Sequence, residues 1–317
     1  MQNTLEVLVQ EASRECEEVR SFVLAPTDGA VLPDFEAGAH IDVHAGPAGV
    51  RQYSLCNGPA DAGCYRIAVK REAGGRGGSR WMYDQLRQGD RLRIGLPRNN
   101  FRLEAGASRY LLLAGGIGLT PLMSMAEQLW QRGRDFTLCC FARSAEHLAF
   151  AERLRVSPWA HQVRMHLDAP GGPKIALDGL LGVPDPGVQI GLCGPARFMD
   201  AVIRAAHAWP RDAIRFEHFA PARPVAPVAA ARGFEVQLAR SGRRLAIPPD
   251  RTLLSVLLED GAPVMASCEQ GICGTCVTRY LAGEPEHGDS CLSAAERETQ
   301  LALCCARSRS PLLVLDL

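Results

Sequence analysis

Six of the 12 cysteines fall between Cys268 and Cys305, and their spacing suits a metal centre. Cys268-Glu-Gln-Gly-Ile-Cys273-Gly-Thr-Cys276 reads C-x4-C-x2-C, with Cys304 and Cys305 far downstream. Three thiolates on one tight loop and a fourth from a distant element wrap a compact 2Fe–2S cluster of plant type. Gly271 and Gly274 let the loop turn its amides toward the sulfurs, where hydrogen bonds help to set the potential. Zinc is the competing metal, but zinc sites more often use paired CxxC knuckles and only one CxxC occurs here. A coincidental group of free thiols is the remaining alternative. The fourth ligand is open between Cys304 and Cys305. Cys291 follows Cys276 by only fifteen positions, too near for a return strand.

Other stretches could hold phosphates and aromatic rings. Arg51-Gln52-Tyr53-Ser54-Leu55 reads as a strand offering a cation, a hydroxyl and a flat aromatic face. Taken alone, it is also what an exposed barrel strand looks like. Its weight comes from Ala68-Val69-Lys70 followed by Arg76-Gly77-Gly78-Ser79, where glycines expose amides and Arg76 and Ser79 add donors. A plain Gly-rich hairpin tip is the bland alternative.

Gly115-Gly116-Ile117-Gly118-Leu119-Thr120-Pro121 lies between a strand and a helix, short of a full GxGxxG fingerprint. The position still sets a helix N-terminus against a pyrophosphate. Cys193-Gly194-Pro195 ends a later strand and adds a second backbone-exposing turn, although Cys193 could equally be a core thiol. Phe216-Glu217-His218-Phe219 closes the same region. An aromatic there is either core or the cover of a ring.

The elements that must carry these residues divide into three styles. From Leu5 to about Leu103, short runs such as Val19–Leu24, His40–His44, Arg51–Leu55, Tyr65–Arg71 and Arg91–Leu96 alternate with turn signals. One helix is expected near Trp81–Leu86. This predicts an antiparallel barrel or sandwich over 1–105. Strand–helix alternation follows: strands at Tyr110–Leu113, Phe136–Phe141, Val163–Leu167, Val188–Cys193 and Ile214–Phe219. Helices are expected at Pro121–Arg132, Ala145–Leu154 and Ala196–Trp209. The pattern predicts a doubly wound α/β domain over 106–219. Residues 220–232 hold three prolines and no amphipathic period, which predicts a semi-stiff linker. Residues 233–317 form a third domain, with two strands across Ser241-Gly242, a helix at Thr252–Glu259 and the cysteine loop.

Composition sets outer bounds. At 317 residues with 47% apolar and 22% charged positions, the chain can bury several cores and is not disordered. Acidic and basic residues balance at 35 each, so no global field draws it to nucleic acid or membrane. Only Lys70 and Lys174 are lysines. Residues 233–317 hold 8 arginines and 11 acids, a net −3. No apolar run reaches the roughly 18 residues of a membrane span, and Met1–Ser13 lacks the blocks of a signal peptide. A cytoplasmic location is expected, where clustered cysteines serve as ligands rather than disulfides.

The order Arg-x-Tyr-Ser-Leu, Gly-Gly-Ile-Gly-Leu-Thr-Pro, Cys-Gly-Pro and Cys-x4-Cys-x2-Cys resembles the phthalate dioxygenase reductase family over nearly the whole chain. The resemblance implies a multidomain protein: a flavin β-barrel, an NAD domain of ferredoxin reductase type, and a C-terminal α+β (β-grasp) ferredoxin. It implies electron flow from NADH through FMN and a 2Fe–2S cluster to a separate Rieske-type oxygenase. By position, Arg51, Gln52, Tyr53, Ser54, Ala68, Val69, Lys70, Arg76, Gly77, Gly78, Ser79 and Thr120 look like FMN contacts. Gly115, Gly116, Gly118, Cys193, Gly194 and Pro195 look like the dinucleotide turns, and Phe219 like a flavin-side aromatic. Ser54, Cys193 and Phe219 stand as the candidate catalytic residues. The tail from Cys304 to Leu317 is similar to the family's and selects Cys304, with Cys268, Cys273 and Cys276, as metal ligands. The chain departs from the family at His218, where a small residue is usual, and at Cys305, where the position is usually apolar.

Hydride transfer from nicotinamide needs no acid or base, so the lack of a Ser–His triad is expected. NADH is expected over NADPH: after Phe136–Phe141 only Arg143 could clasp a 2′-phosphate, with Glu146 close behind and Asp168 after the next strand. Two rivals remain: a reductase of the same build with a non-oxygenase acceptor, and a redox-sensing electron carrier.

Overall fold

Alternating apolar residues in the N-terminal third set the first sheet. The computed structural model describes residues 4–27, 31–61, 63–74, 77–168, 175–219, 233–266, 269, 271 and 274–317. The expected linker 220–232, together with Arg76, Cys268 and Cys273, lies outside them. Strands β1 (Thr4–Cys16), β2 (Val19–Pro26), β3 (His40–His44), β4 (Val50–Ser54), β5 (Tyr65–Lys70) and β6 (Arg91–Gly95) form an antiparallel sheet in the order β4-β3-β6-β1-β2-β5. A bridge between Leu55 and Ile67 joins its two edges, so the sheet closes into a barrel. Val7, Val9, Phe22, Ile41, Ile67 and Ile94 fill the interior.

Strand β1 is longer than its sequence advertises. Register shifts fall between Val9 and Glu11 and between Arg14 and Cys16. Such bulges break the two-residue alternation that marks a strand, which is why Glu-Ala-Ser-Arg-Glu-Cys reads as irregular. Helix α1 (Gly78–Gln85) caps the barrel. It starts at Gly77, whose φ of 88° suits glycine and lets the helix begin before the expected Trp81.

The next sheet is parallel: β7 (Arg109–Gly115), β8 (Asp135–Ala142), β9 (Val163–Leu167), β10 (Val188–Cys193) and β11 (Ile214–Glu217), in the order β11-β10-β7-β8-β9. The strand order reverses between β7 and β10, so the crevice of this doubly wound sheet opens beyond Gly115 and Cys193. Helix α2 (Leu119–Gln131) follows β7 and buries Leu122, Met125, Ala126 and Leu129 against the sheet.

The helix expected over Ala145–Leu154 is instead a 3₁₀ turn at Ala145–His147 and a short α3 (Ala151–Val156). Phe150 divides them at φ 60°. A left-handed Phe costs about 1–3 kcal/mol, offset here by burial of its ring in the core of Phe136, Leu154 and Trp159. A short α4 (Leu177–Leu181), not anticipated, and α5 (Ala196–Ala205) complete this layer.

Residues 1–217 form one compact unit and residues 218–317 a second. In the second, β12 (Phe234–Leu238) pairs antiparallel with β13 (Arg244–Ile247), with Gly242 at φ 70° in the turn. Helix α6 (Leu253–Glu259) is capped by the Thr252 hydroxyl, which accepts from the Ser255 amide. Strand β14 (Val277–Ala282), the β15 (Pro285–Glu286) pair with β17 (Arg307–Ser308), β16 (Gln300–Ala302) and β18 (Leu312–Leu315) follow. The order β13-β12-β18-β14-β16, with β12 and β18 parallel at its centre, is the β-grasp arrangement. No helix among the described residues is long and apolar enough to cross a membrane.

Candidate functional site

Strand β4 and the start of α1 bring together motifs that the sequence separates by more than 20 positions. A Cβ on Gly78 would stand 2.6 Å from Arg51 Cγ and 2.8 Å from its Nε, so the guanidinium stem lies directly over the helix start. This juxtaposes a cation with the first-turn amides of α1, a fit for a phosphate monoester. Arg51 Nη1 also donates to the Val50 carbonyl at 2.7 Å. Ser79 Oγ accepts from the Glu72 amide at 3.2 Å.

The remaining FMN candidates divide by what their side chains already do. Tyr53 packs on the barrel core, and burial raises its phenol well above the usual range, Arg51 opposing. Gln52 Nε2 donates to Asp42 Oδ1 at 3.1 Å. Asp42 in turn takes both Arg98 nitrogens, at 2.9 and 2.7 Å. Ala68 and Val69 are buried, so a ligand meets them through backbone. Lys70 Nζ lies 2.8 Å from Glu72 and 3.8 Å from Glu18. Thr120 is buried, with its hydroxyl donating to the Ile117 carbonyl at 3.0 Å.

Glycine sets the crevice at the switch point. A Cβ on Gly118 would stand 2.3 Å from the Cys193 carbonyl oxygen, so only glycine lets the β7 turn lie against the end of β10. Gly116 sits at φ 53° with open space around it. Phe198 covers the gap: Cβ atoms on Gly115 and Gly194 would fall 2.7 and 2.8 Å from its ring. Phe141 packs against Phe198 at 4.9 Å and stacks on His166 at 4.8 Å. An aromatic wall therefore borders the backbone turns. Arg143 Nη2 is 3.6 Å from the Glu18 carboxylate.

The two sheets meet at one buried point. Ser54 Oγ donates to Glu217 Oε2 at 3.2 Å, and His40 Nδ1 lies 3.8 Å from Glu217 Oε1. Burial holds the Glu217 carboxyl up at about 8, the Ser54 bond opposing. Cys193 is fully buried beside it, and burial followed by the Glu217 charge keeps its thiol protonated. A nucleophilic role is thereby disfavoured. Neither His40 nor Glu217 stands out in the sequence. The one available signal was an acid flanked by aromatics at the carboxyl end of a strand. Phe219 falls in the second unit and is partly exposed.

The cysteine site has two described candidate ligands. Cys276 and Cys304 are buried, and their thiols are hydrogen-bonded to each other. The Gly271 amide donates to Cys304 Sγ at 3.2 Å. Gly271 has φ 70°, and a Cβ there would stand 2.6 Å from Cys305 Sγ. Cys305 Sγ is directed to the Ala302 carbonyl at 3.7 Å. Cys304 is hydrogen-bonded to Cys305 as well as to Cys276, so the Gly271 amide aimed at its sulfur is what suits it as ligand.

Comparison with known proteins gives a consistent picture. Residues 236–309 match the 2Fe-2S iron-sulfur cluster binding domain family. The chain is 43% identical to the vanillate O-demethylase oxidoreductase of Pseudomonas putida, over 99% of this chain and 100% of that one. It is 40% identical to the phthalate dioxygenase reductase of Burkholderia cepacia, over 96% of each. A solved phthalate dioxygenase reductase, described as a modular structure for electron transfer from pyridine nucleotides to 2Fe-2S, superposes with TM-score 0.75 at 37% identity. That match covers 99% of this chain and 98% of the other.

Proposed function

Because the chain belongs to the phthalate dioxygenase reductase family, we propose that it passes electrons from NADH, through FMN and a 2Fe–2S cluster, to a separate Rieske-type oxygenase. The protein is an oxidoreductase, the reductase component of an oxygenase system, with a flavin barrel, an NAD domain and a 2Fe–2S domain. The Rieske character of its acceptor and a cytoplasmic location are parts of the proposal.

Bound FMN would supply the conversion between the electron pair of nicotinamide and the single electrons of the cluster. Arg51 and the amides at the start of α1 hold the monophosphate, with Tyr53 offering its ring. Ser54 presents its hydroxyl to the flavin edge while bonded to Glu217. The turns at Gly115, Gly116, Gly118 and Gly194 let a pyrophosphate approach backbone, and Phe198 shields that approach from water. Cys193 stays a neutral thiol and serves by packing. Cys268, Cys273, Cys276 and Cys304 hold the cluster.

The observation that carries this reading is the Ser54–Glu217 hydrogen bond, which joins the flavin-strand motif to the last strand of the NAD domain at one buried point. The test is reconstitution with purified Rieske oxygenases and their aromatic or amine substrates. NADH-dependent product formation is expected with at least one. NADH-driven reduction of dyes or quinones without any oxygenase turnover would favour the same-build reductase with another acceptor. Absence of NADH turnover in the flavin-loaded protein would favour the electron carrier.

A further inference from the structure

Two cross-strand pairs converge inside residues 1–217. In the barrel, His40 on β3 stands opposite Ser54 on β4. In the parallel sheet, Cys193 on β10 stands opposite Glu217 on β11. Ser54 engages one oxygen of Glu217 and His40 faces the other. Both imidazole nitrogens are buried without a hydrogen-bond partner, and the side chain is 5% exposed. Burying such a ring unpaired is costly, so its retention asks for a reason.

The charged groups around His40 are few. Arg98 and Asp42, themselves ion-paired, act on it in opposite senses. Burial, then Arg98, bring it down to about 4, Asp42 opposing. Glu217 faces it, and the neighbouring Ser54 and Cys193 are neutral. At neutral pH the imidazole is therefore uncharged and the Glu217 carboxyl keeps its proton. A protonated carboxyl has one donor, and the oxygen that carries it decides which way the Ser54 hydroxyl points.

We propose that His40 is a positioning residue for the chemistry at the flavin: its Nδ1 accepts the proton on Glu217 Oε1, leaving Oε2 to accept from Ser54. The Ser54 lone pairs then face the ligand. This rests on the reading of Ser54 as a flavin contact. The 3.8 Å gap closes with about 1 Å of carboxyl rotation, and catalytic hydrogen bonds are commonly long before the ligand arrives.

The test uses the FMN-loaded protein. The infrared band of the protonated Glu217 carboxyl, assigned by its loss in Glu217→Gln, is titrated against pH, with an expected midpoint near 8. His40→Leu removes the acceptor and lowers that midpoint by roughly half to one pH unit. His40→Asn places an amide oxygen near the Nδ1 position and restores it. An unchanged midpoint in His40→Leu, or His40→Asn behaving as His40→Leu, overturns the proposal. Nitrogen NMR of the wild-type imidazole at pH 7 decides without any variant: unprotonated, hydrogen-bonded Nδ1 supports it, and an Nδ1–H tautomer overturns it. The alkaline limb of NADH–ferricyanide activity is expected to follow the same midpoints. If Glu217→Gln leaves that limb unchanged, the flavin role of Ser54 fails, while the infrared and NMR measurements still decide the role of His40.

Discussion

Cys268, Cys273 and Cys276 lie within nine consecutive positions, whereas Ser54 and Glu217 meet across 163. The metal loop carries most of its ligand geometry in local spacing and two left-handed glycines, Gly271 and Gly274. The Ser54–Glu217 corner has no local signature. It forms only when a barrel and a parallel sheet bring one strand pair each to the same place. Damage to the loop should therefore remove one function cleanly, whereas damage to the corner should disturb folding, protonation and catalysis together.

The sharpest way to break this contrast is Cys276→Ser. The variant should keep NADH–ferricyanide reduction at the flavin while losing reduction of cytochrome c or an oxygenase. Residues 220–232, expected to be a linker, would hold the ferredoxin domain at high effective concentration, so the cluster is expected to be the exit path. Parallel loss of both activities with FMN retained would mean that the regions are not separable. Next, Cys304→Ala should abolish the visible cluster spectrum and Cys305→Ala should preserve it; the reverse pattern would exchange their roles.

The corner answers to subtler changes. Gly118→Ala drives a methyl into the Cys193 carbonyl and should destabilise the first unit by about 1–3 kcal/mol, read as a lower urea midpoint. With Glu18 beside Arg143, kcat/KM should favour NADH over NADPH by roughly tenfold, the worth of one charged hydrogen bond. Equal values would remove Glu18 from the specificity argument. The last expected effect is a slope. Glu217 binds its proton more tightly folded than unfolded, so its contribution to stability is fully present below pH 4.5 and is lost as pH rises through about 8. Glu217→Gln should flatten that part of the stability–pH curve, by at most about 1.4 kcal/mol per pH unit.

Much of the architecture was legible in advance because period and punctuation are local. The alternation of β6, the apolar run of β10 and the Gly-rich turn before α2 all announce themselves. Elements shaped by packing did not. The bulges of β1 hide its alternation, and the left-handed Phe150 divides a stretch with ordinary helix propensity because the core takes its ring. The same division runs through the site. Arg51, the glycine turns and the cysteines are chemically conspicuous types at conspicuous spacing, while the hold of Asp42 on the Gln52 amide shows only in the fold.

By itself, the sequence determined the order of modules, the kind of metal loop and the strands that carry the proposed phosphate-binding residues. All of these depend on neighbours within a turn or a strand. Only the tertiary structure decided that His40 and Glu217 meet Ser54 at one buried corner. It also decided that the Cys193 thiol is a packed, protonated group and that Gly118 must have no side chain. Those properties arise from desolvation and close approach between segments remote in the chain, and neither quantity exists until the two sheets have packed.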